Sequence, residues 1–291
     1  MSASIHSLYT YPVKSCAGVR HDHIAITHAG LAGDRQWMLV DDTGTFMTQR
    51  QHPRMVLIQP QPQADGLWLK APDMPDCFVA AGTAGDAPPV PVTVWGTATQ
   101  GADQGDNVAR WLSTFLGVSC RLLQVHPQAH RLASPAHVQG WADKHPEDAA
   151  AFLPLTHHQF GFADGFPFLV CNQASLDELN QQLQADGHLP AEMIRFRPNI
   201  VLQGLEPYDE DHLASLRVGD IQFAFVKACA RCPIPNVDPH TGQTAAQPGQ
   251  TLARHRQFEQ GVLFGVNAVV ALPEGAQRLQ TGMAVEAEFD F

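Results

Sequence analysis

Gln36–Arg50 reads QWMLVDDTGTFMTQR. Two short runs, Gln36–Val40 and Thr45–Arg50, flank Asp41-Asp42-Thr43-Gly44, a polar turn closed by glycine. That grammar predicts a β-hairpin, and it recurs along the chain. Val90–Trp95 mixes valine with proline and threonine, which suits an edge strand because proline donates nothing to a ladder. In Met283–Phe289 the residues Met283, Val285, Ala287 and Phe289 alternate with polar neighbours, the period of a half-buried strand. Further strands are expected at Cys120–Val125, Phe166–Cys171, Asn199–Gln203, Asp220–Lys227 and Leu263–Val270. Helical spacing emerges at Val108, Trp111, Leu112, Phe115 and Leu116, with Asp106 or Asn107 available as N-cap and Gly117 just past the end. Ser175-Leu176-Asp177-Glu178 reads as a capping box opening a second helix that ends near Gly187. His126–His158 shows no period and reads as a long loop. The expected class is α+β, mostly β and barrel-like, with a few helices and two halves meeting somewhere in 120–160.

Composition narrows the function. Of 291 residues 44% are apolar and only 16% charged, so the chain can bury a large core and is not disordered. A net charge of −11 argues against a generic nucleic-acid or anionic-membrane binder. The best apolar run, Val262–Pro273, is 12 residues interrupted by Asn267. A membrane-spanning helix needs about 20, so no span is expected. MSASIHSLYTYPVKS lacks the pattern of a secretory signal. Cys16, Cys77, Cys120 and Cys171 stand alone, as reduced thiols do, and a cytoplasmic location is expected.

The strongest chemical feature is Lys227–Gly242, KACARCPIPNVDPHTG. Its single C-x-x-C, Cys229 and Cys232, supplies two thiolates where a structural zinc wants four ligands. A redox pair belongs at a helix start, whereas this one runs into Pro233 and Pro235. Two half-buried thiols at a strand end is the plain alternative. Arg231 beside Cys232 favours the thiolate form. Asp238, in a D-P-x-T-G turn, reads equally as a local cap. Three cationic clusters accompany it: Tyr11-Pro12-Val13-Lys14-Ser15-Cys16, Gly33-Asp34-Arg35 and Arg195-Phe196-Arg197-Pro198-Asn199. Each suits an anion, and each taken alone reads as surface charge. The fifteen histidines are scattered and suggest no metal site. No dinucleotide fingerprint, P-loop or nucleophile elbow is present.

In combination these motifs are specific. YPVKSCAG, GDRQWMLVD, ADGFPFLV with ASLDELN, RFRPNIV and CARC…VDPHTG occur here in an order that resembles the MOSC-domain family, nearest to the mitochondrial amidoxime reducing component and its bacterial relatives. The resemblance implies an N-terminal MOSC β-barrel domain over 1–120 and a MOSC domain over 121–291. It implies a molybdenum cofactor, molybdopterin, with Cys232 as the metal ligand and catalytic residue. Lys14, Ser15, Arg35, Arg197 and Asn199 would grip the pterin and phosphate, Ala230 and Arg231 would flank the metal, and Gly165 and Phe166 would offer backbone donors where eukaryotic members carry hydroxyls. The activity implied is reduction of N-hydroxylated small molecules such as amidoximes and hydroxylamines, or of N- and S-oxides, an N–O bond being reduced with loss of water. Electrons would come from a separate ferredoxin-, flavodoxin- or cytochrome-type protein, because no iron–sulfur cysteine motif, flavin motif or nicotinamide fingerprint is present. The alternative implied is a cofactor carrier or sulfur-transfer module, resembling the C-terminal domain of molybdenum cofactor sulfurases.

Overall fold

A computed structural model describes residues 3–80, 85 and 87–290. Its largest element is a nine-stranded sheet. From edge to edge this runs through Glu286–Phe289, Leu213–Val218, Ile221–Ala230, Gly261–Ala271, Phe168–Asn172, Ile200–Gln203, Ser4–Thr10 and Val19–His21, with Gln257–Phe258 attached to Gly261–Ala271. All pairings are antiparallel except Phe168–Asn172 with Ile200–Gln203. A parallel pair needs a crossover, and the helix Gln173–Ala185 supplies it. One face of the sheet buries Ile5, Leu8, Val170, Ile200, Phe168 and Phe223, the last two edge to face at 5.3 Å. The helix seats Leu176, Leu179 and Leu183 on Phe196 and Phe264, whose rings stack at 4.0 Å.

The first half adds a four-stranded sheet ordered Trp37–Val40, Arg121–Val125, Thr97–Asp103, Pro89–Val94 and a three-stranded one ordered Gln59–Gln63, Gly66–Lys70, Cys77–Ala80. Val108, Trp111, Leu112 and Phe115 of the helix Asp106–Leu116 pack on their shared core. The mostly-β class with few helices is what the sequence predicts; the sheets are open ladders with edges, not a closed ring. The division expected between residues 120 and 121 does not separate the sheets. Arg121–Val125 pairs with the first half, Ser4–Thr10 joins the second half's sheet, and Gln277–Gln280 returns to pair with His23–Thr27. No helix among the described residues is long and apolar enough to cross a membrane.

Several local expectations are corrected. Thr45–Arg50 is not a strand. The Asp41 carboxylate does close the turn by accepting from the backbone of Thr43 and Thr45, but after the Val40–Phe46 bridge the chain dives inward and buries Thr48 and Gln49. The first helix starts at Asp106 behind Gly105, without a side-chain cap, because Asp106 faces Arg121 instead. The second helix is capped by Asn172, not Ser175, whose hydroxyl is inside the helix and bonded to Glu210. The segment 126–158 is structured: Pro135–Lys144 is a helix, anchored by the Trp141 indole donating to the Ala214 carbonyl at 2.8 Å. Proline at its first position and apolar Val138, Trp141 and Ala142 were the signals overlooked.

Candidate functional site

Three tight turns carry the cationic motifs to one place. After Ser4–Thr10 the chain turns at Pro12, the Lys14 amide bonds the Trp37 carbonyl at 2.8 Å, and Ser15 takes a left-handed conformation (φ 67°). Arg35 (φ 46°) donates its amide to the Tyr11 carbonyl, and the Asp34 carboxylate accepts from the Tyr11 amide at 2.7 Å. Arg197 (φ 58°) ends a short 3-10 turn over Met193–Phe196. Trp95 (φ 51°) and Gly96 (φ 80°) form the two-residue turn between Pro89–Val94 and Thr97–Asp103, the edge hairpin. Of six non-glycine residues at positive φ among those described, four (Ser15, Arg35, Trp95 and Arg197) line one cleft. Such strain costs on the order of 1–3 kcal/mol per residue and concentrates at functional sites.

The ten residues that the family resemblance assigns to the cofactor all line that cleft: Lys14, Ser15 and Arg35 from the first half, Gly165, Phe166, Arg197, Asn199, Ala230, Arg231 and Cys232 from the second. Arg35 and Arg197 lie over the buried Tyr11 ring, 4.3 and 4.1 Å from its centroid. One Arg197 nitrogen, Nη1, donates to the Cys16 carbonyl at 2.8 Å and the Gln49 amide oxygen at 3.2 Å, while Nη2 is buried with no partner. Burial, followed by the Arg35 charge, pulls Arg197 down to about 10. Lys14 is buried as well; desolvation lowers its pKa against the opposing pull of Asp164, and its Nζ donates to the Phe162 carbonyl at 2.9 Å. Arg231 donates to the Phe196 carbonyl at 2.8 Å and to Cys229 Sγ at 3.1 Å, and its Nε is another buried donor without a partner. Cys229 and Cys232 are half-buried at the end of Ile221–Ala230.

Some candidates play a different part from the one expected of a ligand contact. The Asn199 amide is engaged by main chain on both sides, accepting from Leu169 N at 3.1 Å and donating to Tyr9 O at 3.3 Å, so it holds the wall together. Asp238 is a turn cap: Oδ1 accepts from the His240 and Thr241 amides, and Oδ2 from Arg195 at 2.5 Å. Gly165 faces open space, since a β-carbon there would meet nothing within 4 Å.

Sequence reasoning missed Trp95, Asp164 and Arg131. Asp164 pairs with Lys14, and its Oδ1 also accepts from the Trp95 indole at 2.8 Å. Arg131 is buried and donates to the carbonyls of Gly161, Ala163 and Asp164 at 2.7, 2.7 and 3.0 Å. It clamps the segment that presents Asp164, Gly165 and Phe166. ADG was quoted from the sequence, but nothing local tied its aspartate to a lysine 150 positions earlier. No group of three or more His, Cys, Asp or Glu gathers in metal-ligating geometry among the described residues.

Residues 2–119 match the MOSC N-terminal beta barrel domain and residues 157–286 the MOSC domain. The chain is similar to mitochondrial amidoxime-reducing component 1 of Mus musculus, 33% identical over 259 residues covering 87% of this chain and 71% of that protein. It is equally similar to the Homo sapiens protein of that name, 33% identical over 261 residues covering 88% and 73%. Molybdenum cofactor sulfurase of Homo sapiens is 29% identical over 273 residues, 90% of this chain but 29% of its own length. The two family domains, their order and the near full-length relatives agree: this chain belongs to the MOSC-domain family.

Proposed function

We propose that this chain is a molybdenum-cofactor-dependent oxidoreductase that reduces N-hydroxylated compounds such as amidoximes and hydroxylamines, or related N- and S-oxides, with electrons from a separate donor protein. One observation carries the reading. A single cleft sets a half-buried thiol, Cys232, among cations from both halves of the chain, Lys14 and Arg197 buried and Arg35 and Arg231 partly so. Arg197 Nη2 and Arg231 Nε are buried atoms without partners among the described residues. That donor set suits molybdopterin, whose metal prefers soft thiolate and whose phosphate accepts from guanidinium and ammonium. Bound there, the cofactor supplies two-electron chemistry at its metal. Cys232 is the ligand in this reading, Arg197, Arg35, Lys14 and Ser15 hold the anion, Arg231 and Ala230 flank the thiol, and Gly165 and Phe166 form the opposite lip. The reading includes a cytoplasmic location and a ferredoxin-, flavodoxin- or cytochrome-type donor.

A sulfur-transfer role is the second reading, favoured by the similarity to the sulfurase and by a second thiol, Cys229, on the same wall. The two separate on one pair of variants. Cys232→Ser is expected to abolish dye-driven reduction of benzamidoxime and to alter the metal's absorption and paramagnetic spectra, because a hydroxyl is a harder ligand that keeps its proton. Cys229→Ser is expected to keep most of the activity. Persulfide on Cys232 without benzamidoxime turnover establishes the sulfur-transfer reading, and full activity in both variants removes the thiolate from the mechanism.

A further inference from the structure

Among the described residues Asp164 is the one carboxylate on the cleft wall, and its side chain is 63% exposed. Its two oxygens are not equivalent. Oδ1 is held from two directions, by the Lys14 ammonium and the Trp95 indole N–H. Oδ2 takes no hydrogen bond from the described residues. The segment behind it cannot swing freely, because Arg131 grips the carbonyls of Gly161, Ala163 and Asp164 and Lys14 grips that of Phe162. Trp95 is itself braced, edge to face against Phe46 at 5.1 Å and under the Arg50 guanidinium at 4.6 Å. The result is a carboxylate fixed in place with one acceptor left open at the mouth of the cleft that also exposes Cys232. A charged acceptor held in place favours molecules that can donate to it over molecules that cannot.

Building on the proposed reductase reading, we propose that Asp164 Oδ2 orients the substrate by accepting an N–H adjacent to the reducible N–O bond. It thereby selects amidoximes, N-hydroxyguanidines and hydroxylamines over tertiary N-oxides and sulfoxides, which carry no such donor. An amidine product carries the same N–H groups with a positive charge, so it is held at least as well.

The test is Asp164→Asn. The amide oxygen can still accept from Lys14 and Trp95, while the outward atom changes from acceptor to donor and the charge opposite Lys14 is lost, so released pterin is measured alongside. Two readouts are expected to move: KM for benzamidoxime rises roughly tenfold or more, and binding of benzamidine followed by calorimetry weakens by a similar factor. KM for methyl phenyl sulfoxide is expected to stay within about twofold. Trp95→Phe, which keeps the carboxylate and loosens one anchor, is expected to raise the benzamidoxime KM by a few-fold only. Equal changes for benzamidoxime and the sulfoxide, or unchanged benzamidine affinity in Asp164→Asn, overturn the proposal. If the wild-type chain reduces neither substrate the reductase reading falls, while benzamidine calorimetry still decides the role of Asp164.

Discussion

The molecule buries charge in two places and treats it in opposite ways. Along the cleft wall four cations, Lys14, Arg35, Arg197 and Arg231, stand against two carboxylates, Asp164 on the wall and buried Asp34 behind it, bonded to Arg35 at 2.6 Å. Beneath the helix Gly249–Arg256 a closed cluster balances itself: Arg256 pairs with Asp211 and lies over Tyr208 at 4.1 Å, and Glu210 accepts from Ser175 at 2.6 Å. Tyr208 is also at positive φ (69°), so backbone strain alone does not tell the two apart. What distinguishes them is access and the sign of the sum. In the closed cluster Arg256 and Asp211 cancel, whereas the cleft holds an excess of positive charge, with Lys14 and Arg197 buried, which is costly unless something anionic completes it.

The sharpest way to break this contrast is to remove one arginine from each cluster. Arg256→Ala leaves Asp211 buried without its cation and is expected to cost about 3–5 kcal/mol in chemical denaturation, with pterin retention unchanged at permissive temperature. Arg197→Ala is expected to reverse the pattern. It costs about 1 kcal/mol of stability while released pterin, measured by oxidation and fluorescence, falls roughly tenfold or more. Matching stability losses in the two variants erase the distinction.

Titration sharpens it further. Burial raises Glu210 to about 7 from an ordinary 4.5. The folded state therefore keeps a proton that the unfolded state releases. The associated stability is present below about pH 4.5 and is lost as pH rises through about 7, amounting to about 3 kcal/mol. Glu210→Gln is expected to flatten the pH dependence of the denaturation midpoint between those values. A profile parallel to the wild type's shows that Glu210 ionises normally. The smallest effect concerns the cleft's lip: Gly165→Ala, with open space for the new methyl, is expected to change stability by less than about 1 kcal/mol. A measurable loss of pterin in that variant identifies Gly165 as a surface the cofactor touches.

The sequence made helices legible where one face is buried and the other wet, as in Asp106–Leu116, whereas the alternation of Met283–Phe289 overstated its strand, which spans only Glu286–Phe289 and leaves Phe289 exposed. It also named the cleft's cations and thiols, because those residue types sit in compact motifs. Thr45–Arg50 misled because its hairpin turn is real but Gln49 is drawn inward to hold Arg197. Ser175 misled because its hydroxyl bonds Glu210 rather than capping the helix. Trp95, Arg131 and Asp164 were invisible for a common reason. Each acts through a partner far along the chain, and an aromatic turn residue, an arginine in an aperiodic stretch and an exposed aspartate carry no local mark of it.

The interleaving of the sheets has a temporal consequence. Ser4–Thr10 pairs locally with Val19–His21 on one edge but finds its other neighbour only when Ile200–Gln203 has been made, and the second edge of His23–Thr27, beyond its pairing with Gly30–Leu31, waits for Gln277–Gln280. Such non-local pairings give a high contact order and slow folding. Until those segments are made the nascent chain holds unpaired strand edges, a period in which intermolecular association competes. Because the cleft draws on Lys14, Arg35, Arg197 and Cys232, its pocket exists only once segments about 200 residues apart in the chain have come together.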